Sequence, residues 1–140
     1  MGKKKQILAV TNDFSFTLLS VICHHKDYRL CYELNSALNI DLKKQDNLDV
    51  RLAKRKENAE FSLYQHFYSE EKNISVVSNK NGIHTLVPEM PGTDYFILLN
   101  GGFIKTEVEE IKKTIKQVKI VLGLYDTDPE SLKSKENLIL

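Results

Sequence analysis

The chain has 140 residues, of which 20 are Lys or Arg and 19 are Asp or Glu, so its formal net charge is +1. This length predicts one compact domain over residues 1–140 that needs no disulfide or metal in order to fold. A charge so close to zero gives no global field to attract nucleic acid or an anionic membrane. No apolar stretch approaches the roughly 18 residues that span a bilayer, so we expect no membrane partner.

The targeting signals and the cysteines predict a cytoplasmic protein. Lysines 3–5 resemble the start of a signal peptide, but the apolar run after them covers only residues 7–10, whereas a signal core needs about 7 to 15 residues. Cys23 and Cys31 are expected to be reduced and mostly buried. A metal site made of these cysteines and the two histidines after Cys23 lacks the paired Cys-x-x-Cys spacing of zinc sites. We therefore expect no metal and no cofactor.

The N-terminal part of the chain contains a predicted strand, an ambiguous segment and a helix. Residues 5–11 are predicted as a strand, whereas residues 14–23 fit both a strand and a helical stripe and stay unassigned. Asp27 is a predicted N-cap of a helix over residues 28–39. The apolar residues of this helix recur at helical spacing and are Leu30, Cys31, Leu34 and Leu38.

The middle of the chain changes to a period of two, which predicts antiparallel strands. Residues 61–68 alternate between apolar and polar over most of their length. Residues 74–78 and 83–87 flank an Asn-Gly pair, and this pair supplies the positive φ that a tight hairpin turn requires. Residues 93–99 form the last predicted strand of this group.

The C-terminal part predicts a long core helix and a short terminal one. Thr106 followed by Glu109 is a predicted capping box. An apolar stripe then recurs at steps of three and four from residue 108 to residue 125, which predicts a helix that covers the sheet. Asp128 before Pro129 predicts a short terminal helix, after which the last apolar residues are expected to dock. Together the elements predict an α+β fold: a mostly antiparallel sheet of about five strands with helices packed on one face.

Residues 87–95 have the sequence VPEMPGTDY, which resembles the signature of the IPExxxVDY family, small bacterial proteins of about this length with no assigned activity. The resemblance extends to Asp27-Tyr28-Arg29-Leu30, to Ser78-Asn79-Lys80 and to the segment from Leu132 to Leu138. Val87 and Thr93 stand where the motif has Ile and Val, and both keep a β-branched side chain. The resemblance implies a single cytoplasmic domain of unknown function, and it brings no catalytic residues.

The VPEMPGTDY loop is predicted to be stiff. Pro88 cannot donate to a central ladder, and Pro91-Gly92 fits the two central positions of a type II turn. Glu89 and Asp94 would then flank a fixed turn, with Tyr95 entering the next strand. One interpretation is structural: the two carboxylates accept hydrogen bonds from turn amides, and the Tyr95 hydroxyl closes the core.

Two functional interpretations use the same loop. The leading one is a non-enzymatic binding or assembly module, with a protein partner or self-association, because no nucleophile or phosphate-binding glycine loop accompanies the carboxylates. The alternative is an enzyme or a small-molecule-binding protein with Glu89, Asp94 and His84, joined by Tyr95, at a pocket. A cleft with converging polar groups beside the loop would favour this alternative.

A third interpretation is RNA binding on an aromatic sheet face. The alternation of the strand places Tyr64, His66 and Tyr68 on one face, where bases could stack. Arg51 and the basic run 54–56 would contact phosphates. Acidic residues follow this run, and the aromatic signature of known RNA-binding sheets is absent, so nucleic acid is disfavoured as a partner.

Overall fold

A computed structural model describes residues 15–52 and 57–140 of the chain. In chain order the elements are β1 (Thr17–Ile22), α1 (Asp27–Leu38), β2 (Lys43–Lys44), β3 (Leu48–Leu52), β4 (Glu57–Phe61), β5 (Leu63–Phe67), β6 (Asn73–Ser78), β7 (Lys80–Asn81), β8 (His84–Thr85), β9 (Tyr95–Asn100), α2 (Lys105–Lys116) and β10 (Gly123–Thr127). Two 3-10 helices, Pro129–Ser131 and Lys135–Leu138, follow β10. The strand predicted over residues 5–11 and the basic run 54–56 lie outside the described residues.

Six strands form one antiparallel sheet in the order β10-β1-β9-β6-β5-β2. The α+β class is therefore confirmed, with six strands where about five were predicted. The ambiguous segment 14–23 supplies β1, which is a strand because it is paired on both sides, with β9 and with β10. β3 pairs with β4 and β7 with β8 in two separate hairpins.

The two helices cover one face of the sheet, as predicted. Alternate side chains of β1, β6 and β9 meet Leu30 and Leu34 of α1 and Ile115 of α2 in one apolar core. Leu30 and Ile115 are fully buried. Each helix has 12 residues, and no helix in the described ranges is long and apolar enough to cross a membrane.

The opposite face of the sheet carries a second apolar core. Its cover consists of the β3–β4 hairpin, the segment after β6 and the C-terminal 3-10 helices, and these elements contribute Phe61, Leu86 and Leu138. From the sheet itself, Phe96 and Leu98 of β9 point into this core. Leu138 is 1% exposed, so the predicted docking of the chain end is confirmed for that residue.

The predicted helix caps are wrong by one or two residues. α1 begins at Asp27 itself, so Lys26 occupies the N-cap position. In α2 the side chain that bonds to the backbone of the N-cap residue belongs to Glu107 rather than to Glu109. Its Oε1 accepts the N–H of Ile104 at 3.0 Å. The helix therefore begins before the predicted box, and its first free amide is bound by a carboxylate near the positive helix end.

The predicted extension of this helix to residue 125 is wrong. α2 ends at Lys116, and residues 123–127 form the edge strand β10. Leu122 and Tyr125 are 61% and 57% exposed instead of facing the core. Gly123, which disfavours a helix, lies in the strand with the ring of Tyr125 against it. Pairing with β1 along the whole of β10 outweighs the helical spacing of the apolar residues.

Two predicted strands are paired differently from expectation. The segment 61–68 is divided at Ser62, because the chain changes there from the β3–β4 hairpin to the main sheet. The Asn-Gly turn is present, and Gly82 has a φ of 61°. The arms of that turn are only β7 and β8, of two residues each, since β6 is already paired on both sides with β5 and β9.

Replacing Ile115 with Ala removes a fully buried side chain between α2 and the sheet. We expect the free energy of unfolding to fall by about 2 to 5 kcal/mol, because the change leaves a cavity in a packed core. Urea unfolding followed by circular dichroism measures this difference. The control is Ile104→Ala, at a side chain that is 62% exposed; equal stability of the two variants would contradict the packing of α2.

Candidate functional site

The VPEMPGTDY loop is organised around one buried amide side chain, that of Asn79, which is 0% exposed. Its Nδ2 donates to the carbonyl oxygens of Met90 and Thr93 at 3.0 and 2.8 Å. Its Oδ1 accepts the N–H of Val87 at 2.9 Å. Both amide hydrogens and the oxygen are used, so the group is satisfied although it is buried.

The turn at Pro91-Gly92 has the predicted position but is not type II. The N–H of Thr93 donates to the carbonyl oxygen of Met90 at 3.2 Å and closes the turn. The described glycines with positive φ are Gly82 and Gly101, whereas a type II turn needs positive φ at the position of Gly92. The turn is therefore held by bonds to its carbonyl groups rather than by glycine geometry.

Asp94 and Tyr95 connect the loop to the segment between β1 and α1. Asp94 Oδ2 accepts the N–H of Cys23 at 2.9 Å, and its Oδ1 lies 3.1 Å from Lys80 Nζ. The Tyr95 hydroxyl donates to the carbonyl oxygen of His25 at 2.6 Å. Burial raises the pKa of Tyr95, so the hydroxyl remains a donor at neutral pH. Both side chains make contacts within the fold.

Glu89 connects the loop to the C-terminal segment. Its carboxylate accepts the N–H of Ser134 at 2.7 Å and the Ser134 hydroxyl at 2.9 Å. Desolvation acts to raise the pKa of Glu89, but the hydrogen bonds that its carboxylate accepts, led by those from Ser134, together outweigh it, so the pKa lies below its ordinary value. A carboxylate with a lowered pKa and occupied oxygens is a weak base. The amide that it binds belongs to a distant segment and not to its own turn.

His84 lines a cleft between the end of β3, the β7–β8 turn and the C-terminal segment, which we name the His84 cleft. Its volume is about 480 Å³, within the range of small-molecule sites. The lining includes Arg51, Leu52, Ile83, His84, Pro88 and Lys133. The cleft therefore joins apolar and cationic side chains from three segments that are far apart in the sequence.

The ring of His84 has one unpaired nitrogen. Its Nε2 lies 3.6 Å from Glu57 Oε1. Its Nδ1 is the only buried side-chain nitrogen or oxygen without a hydrogen-bond partner in the part of the chain that the structure describes. Buried polar atoms are nearly always paired, and leaving one unpaired costs about 1 to 3 kcal/mol. Because this atom is closed off from solvent, a molecule in the cleft does not supply the missing partner.

The three residues predicted for one pocket do not come together. Glu89 lines a different groove, beside Met90 and Tyr125. Asp94 is occupied by Cys23 and Lys80, so His84 alone of the three lines the cleft. The residues that sequence reasoning missed are Asn79, which it assigned to the hairpin turn, and Lys133. Two asparagines, Asn79 and Asn81, lie between the apolar runs, and the sequence does not distinguish the buried one.

The residues predicted for an RNA-binding face are engaged by their neighbours. Tyr64 packs against the helix-covered core, and burial raises its pKa. His66 Nδ1 accepts the N–H of Asp41 at 3.1 Å, and its ring meets Tyr68 edge to face with centroids 4.7 Å apart. Arg51, their predicted phosphate-binding companion, lines the His84 cleft instead. Tyr68 is 48% exposed, so the arrangement leaves one exposed ring rather than a continuous aromatic face on which several bases could stack.

Cys23 and Cys31 are free and buried, as predicted. Burial raises the pKa of both thiols, to about 12 for Cys31. A thiol with such a pKa is a poor nucleophile at neutral pH. Among residues 15–52 and 57–140, no group of three or more His, Cys, Asp or Glu side chains is arranged to hold a metal ion.

No protein-family model matches this chain, and no curated protein is similar enough to it to count as a relative. The resemblance of residues 87–95 to the IPExxxVDY signature therefore stays an expectation.

Replacing Asn79 with Ala leaves the N–H of Val87 and two carbonyl groups without their buried partner. We expect the free energy of unfolding to fall by about 2 to 4 kcal/mol, because unpaired buried polar groups keep their desolvation cost. Urea unfolding measures the loss. The matched control is Asn58→Ala, at an exposed position of β4. If both changes lowered the free energy of unfolding by the same small amount, the role of Asn79 would be contradicted.

The Glu89–Ser134 contact predicts a pH-dependent stability. Because the pKa of Glu89 is lower in the folded protein, ionised Glu89 stabilises the fold above the ordinary carboxyl pKa, and this contribution is lost as the pH falls through the lowered value. We expect Glu89→Gln to be less stable than the parent at neutral pH and the difference to shrink in acid. Unfolding curves at several pH values test this.

The matched control for this experiment is Glu70→Gln, a change at an exposed glutamate after β5. We expect its stability to follow that of the parent across the pH range. A stability difference for Glu89→Gln that does not change with pH would contradict the assignment of the charge effect to Glu89.

Proposed function

We propose that this chain is a non-enzymatic binding domain and that its ligand is a small molecule held in the His84 cleft. The observation that supports this proposal is one cleft of about 480 Å³ in which an exposed apolar rim meets polar side chains from three segments of the chain. The VPEMPGTDY loop then has a supporting role, since Pro88 of this loop lines the cleft and Glu89 fixes the segment opposite.

The apolar rim of the cleft favours a ligand site over a plain surface. Ile83 lies in the β7–β8 turn, where polar residues are usual. Its side chain is 73% exposed, which is the largest value among the large hydrophobic side chains of the described residues. Leu52 and Pro88 line the same cavity. Exposed apolar surface beside a concave site is typical of binding sites.

The polar groups beside the cleft favour binding over catalysis. The hydroxyl of Ser134 is bound to the carboxylate of Glu89, and the lowered pKa of Glu89 makes that carboxylate a weak base. An activated hydroxyl needs a stronger base with access to the reacting atoms. The two thiols of the chain are buried in the core on the other face of the sheet. These features support a domain that binds its ligand unchanged.

A protein partner or self-association on the VPEMPGTDY loop has less support. Glu89, Asp94 and Tyr95 are already bonded to other segments of the same chain, so a partner would have to replace these contacts. We also propose a cytoplasmic location, which the buried, free thiols support because disulfides are rare in that compartment.

The dye N-phenyl-1-naphthylamine tests the site, because it is small, uncharged and more fluorescent in apolar surroundings. We expect saturable binding by the full chain and about tenfold weaker binding by Ile83→Ser, which removes apolar contact at the rim. Fluorescence titration gives both dissociation constants. Ile104→Ser changes the same residue type at a 62% exposed position, the N-cap of α2, and should bind as the parent does. Equal weakening, or none, in the two variants would exclude the His84 cleft.

A further inference from the structure

The charged lining of the His84 cleft is mainly cationic. Arg51 and Lys133 line it, against the single carboxylate of Glu136. No described carboxylate lies within ion-pair distance of Arg51 or Lys133. Other lysines are neutralised in place: Lys72, Lys80 and Lys112 lie 3.0, 3.1 and 2.8 Å from carboxylate oxygens. The two cations of the cleft are therefore available to an anion.

The fold places these two cations on different walls of the cleft. Arg51 is in β3, and its cross-strand neighbour on β4 is Asn58, which carries no charge. Lys133 precedes Ser134, whose N–H and hydroxyl are both held by Glu89. Arg51 can bind an acidic group through two parallel hydrogen bonds, which a lysine cannot do. The pair is thus suited to one carboxylate, sulfonate or phosphate group.

The size and the apolar rim indicate what else the ligand contains. A simple inorganic anion would fill little of a cavity of about 480 Å³ and would leave Ile83 and Leu52 uncovered. A purely apolar molecule would leave both cations without a partner. We propose that the cleft binds an amphipathic organic anion, with its acidic group at Arg51 and Lys133 and its apolar body against Leu52 and Ile83. This inference rests on the proposed function, because it names the ligand class of the same cleft.

Two dyes that differ by one acidic group test the proposal. 8-Anilinonaphthalene-1-sulfonate has the ring system of N-phenyl-1-naphthylamine and one added sulfonate. We expect the parent chain to bind the sulfonate dye about tenfold more tightly than the uncharged dye, as for one charge-assisted hydrogen-bonded contact. We expect the double variant Arg51→Gln, Lys133→Gln to lose this preference and to keep its affinity for the uncharged dye.

A second double variant controls for net charge. Lys43→Gln with Lys119→Gln removes two charges at exposed positions outside the cleft and should keep the preference for the sulfonate dye. Raising the salt concentration should weaken the binding of the sulfonate dye only, because screening acts on the charged contact. Circular dichroism of each variant verifies the fold, and the salt series on the parent needs no variant.

The outcomes separate the two proposals. If Ile83→Ser weakens both dyes while the parent binds them equally, the cleft is a binding site and the anionic class is wrong. If Arg51→Gln with Lys133→Gln keeps the preference for the sulfonate dye, the assignment of the acidic group to these residues is wrong. If Ile83→Ser affects neither dye, the proposed function itself is wrong.

Discussion

The buried amide of Asn79 is the constraint on which the second face of the sheet depends. The chain between β8 and β9 has no strand pairing, yet Leu86 and Val87 are fully buried within it. Buried backbone groups need partners, and one side chain supplies them at Val87, Met90 and Thr93. The residue type follows from this task, because an aspartate would have no hydrogens to donate and an apolar residue would have no polar atoms.

The two faces of the sheet are stabilised in different ways. The helix-covered face depends on apolar contact between long, regular elements. The other face is covered by short segments, and polar bonds between segments distant in sequence fix them, such as Glu89 to Ser134 and Asn137 Nδ2 to the carbonyl oxygen of Leu86 at 2.8 Å. Glu89 of the VPEMPGTDY loop therefore contributes to the His84 cleft by positioning its C-terminal wall.

Features that depend on neighbours in sequence could be predicted, and features that depend on tertiary pairing could not. The turn at Gly82 is recognisable because its positive φ is a local requirement. The stripe around Tyr125 has helical spacing, but the edge of β1 pairs with that segment as a strand. Glu89 could be singled out as a carboxylate in a stiff loop, yet its partner Ser134 comes from another segment. His84 could be placed near a pocket, whereas Lys133 could not, since only the docked chain end brings it there.

The C-terminal wall of the cleft has a consequence for dynamics. This wall consists of residues 133–137, most of which lie in or directly before the four-residue 3-10 helix Lys135–Leu138. Such a short helix has few internal hydrogen bonds, so the wall can open at a lower free energy than the sheet. The cleft is complete only while this segment is docked, and the observed affinity for any ligand is reduced by the fraction of molecules in which it is open. Binding would accordingly slow amide hydrogen exchange around Ser134 and Leu138, because it suppresses this local opening.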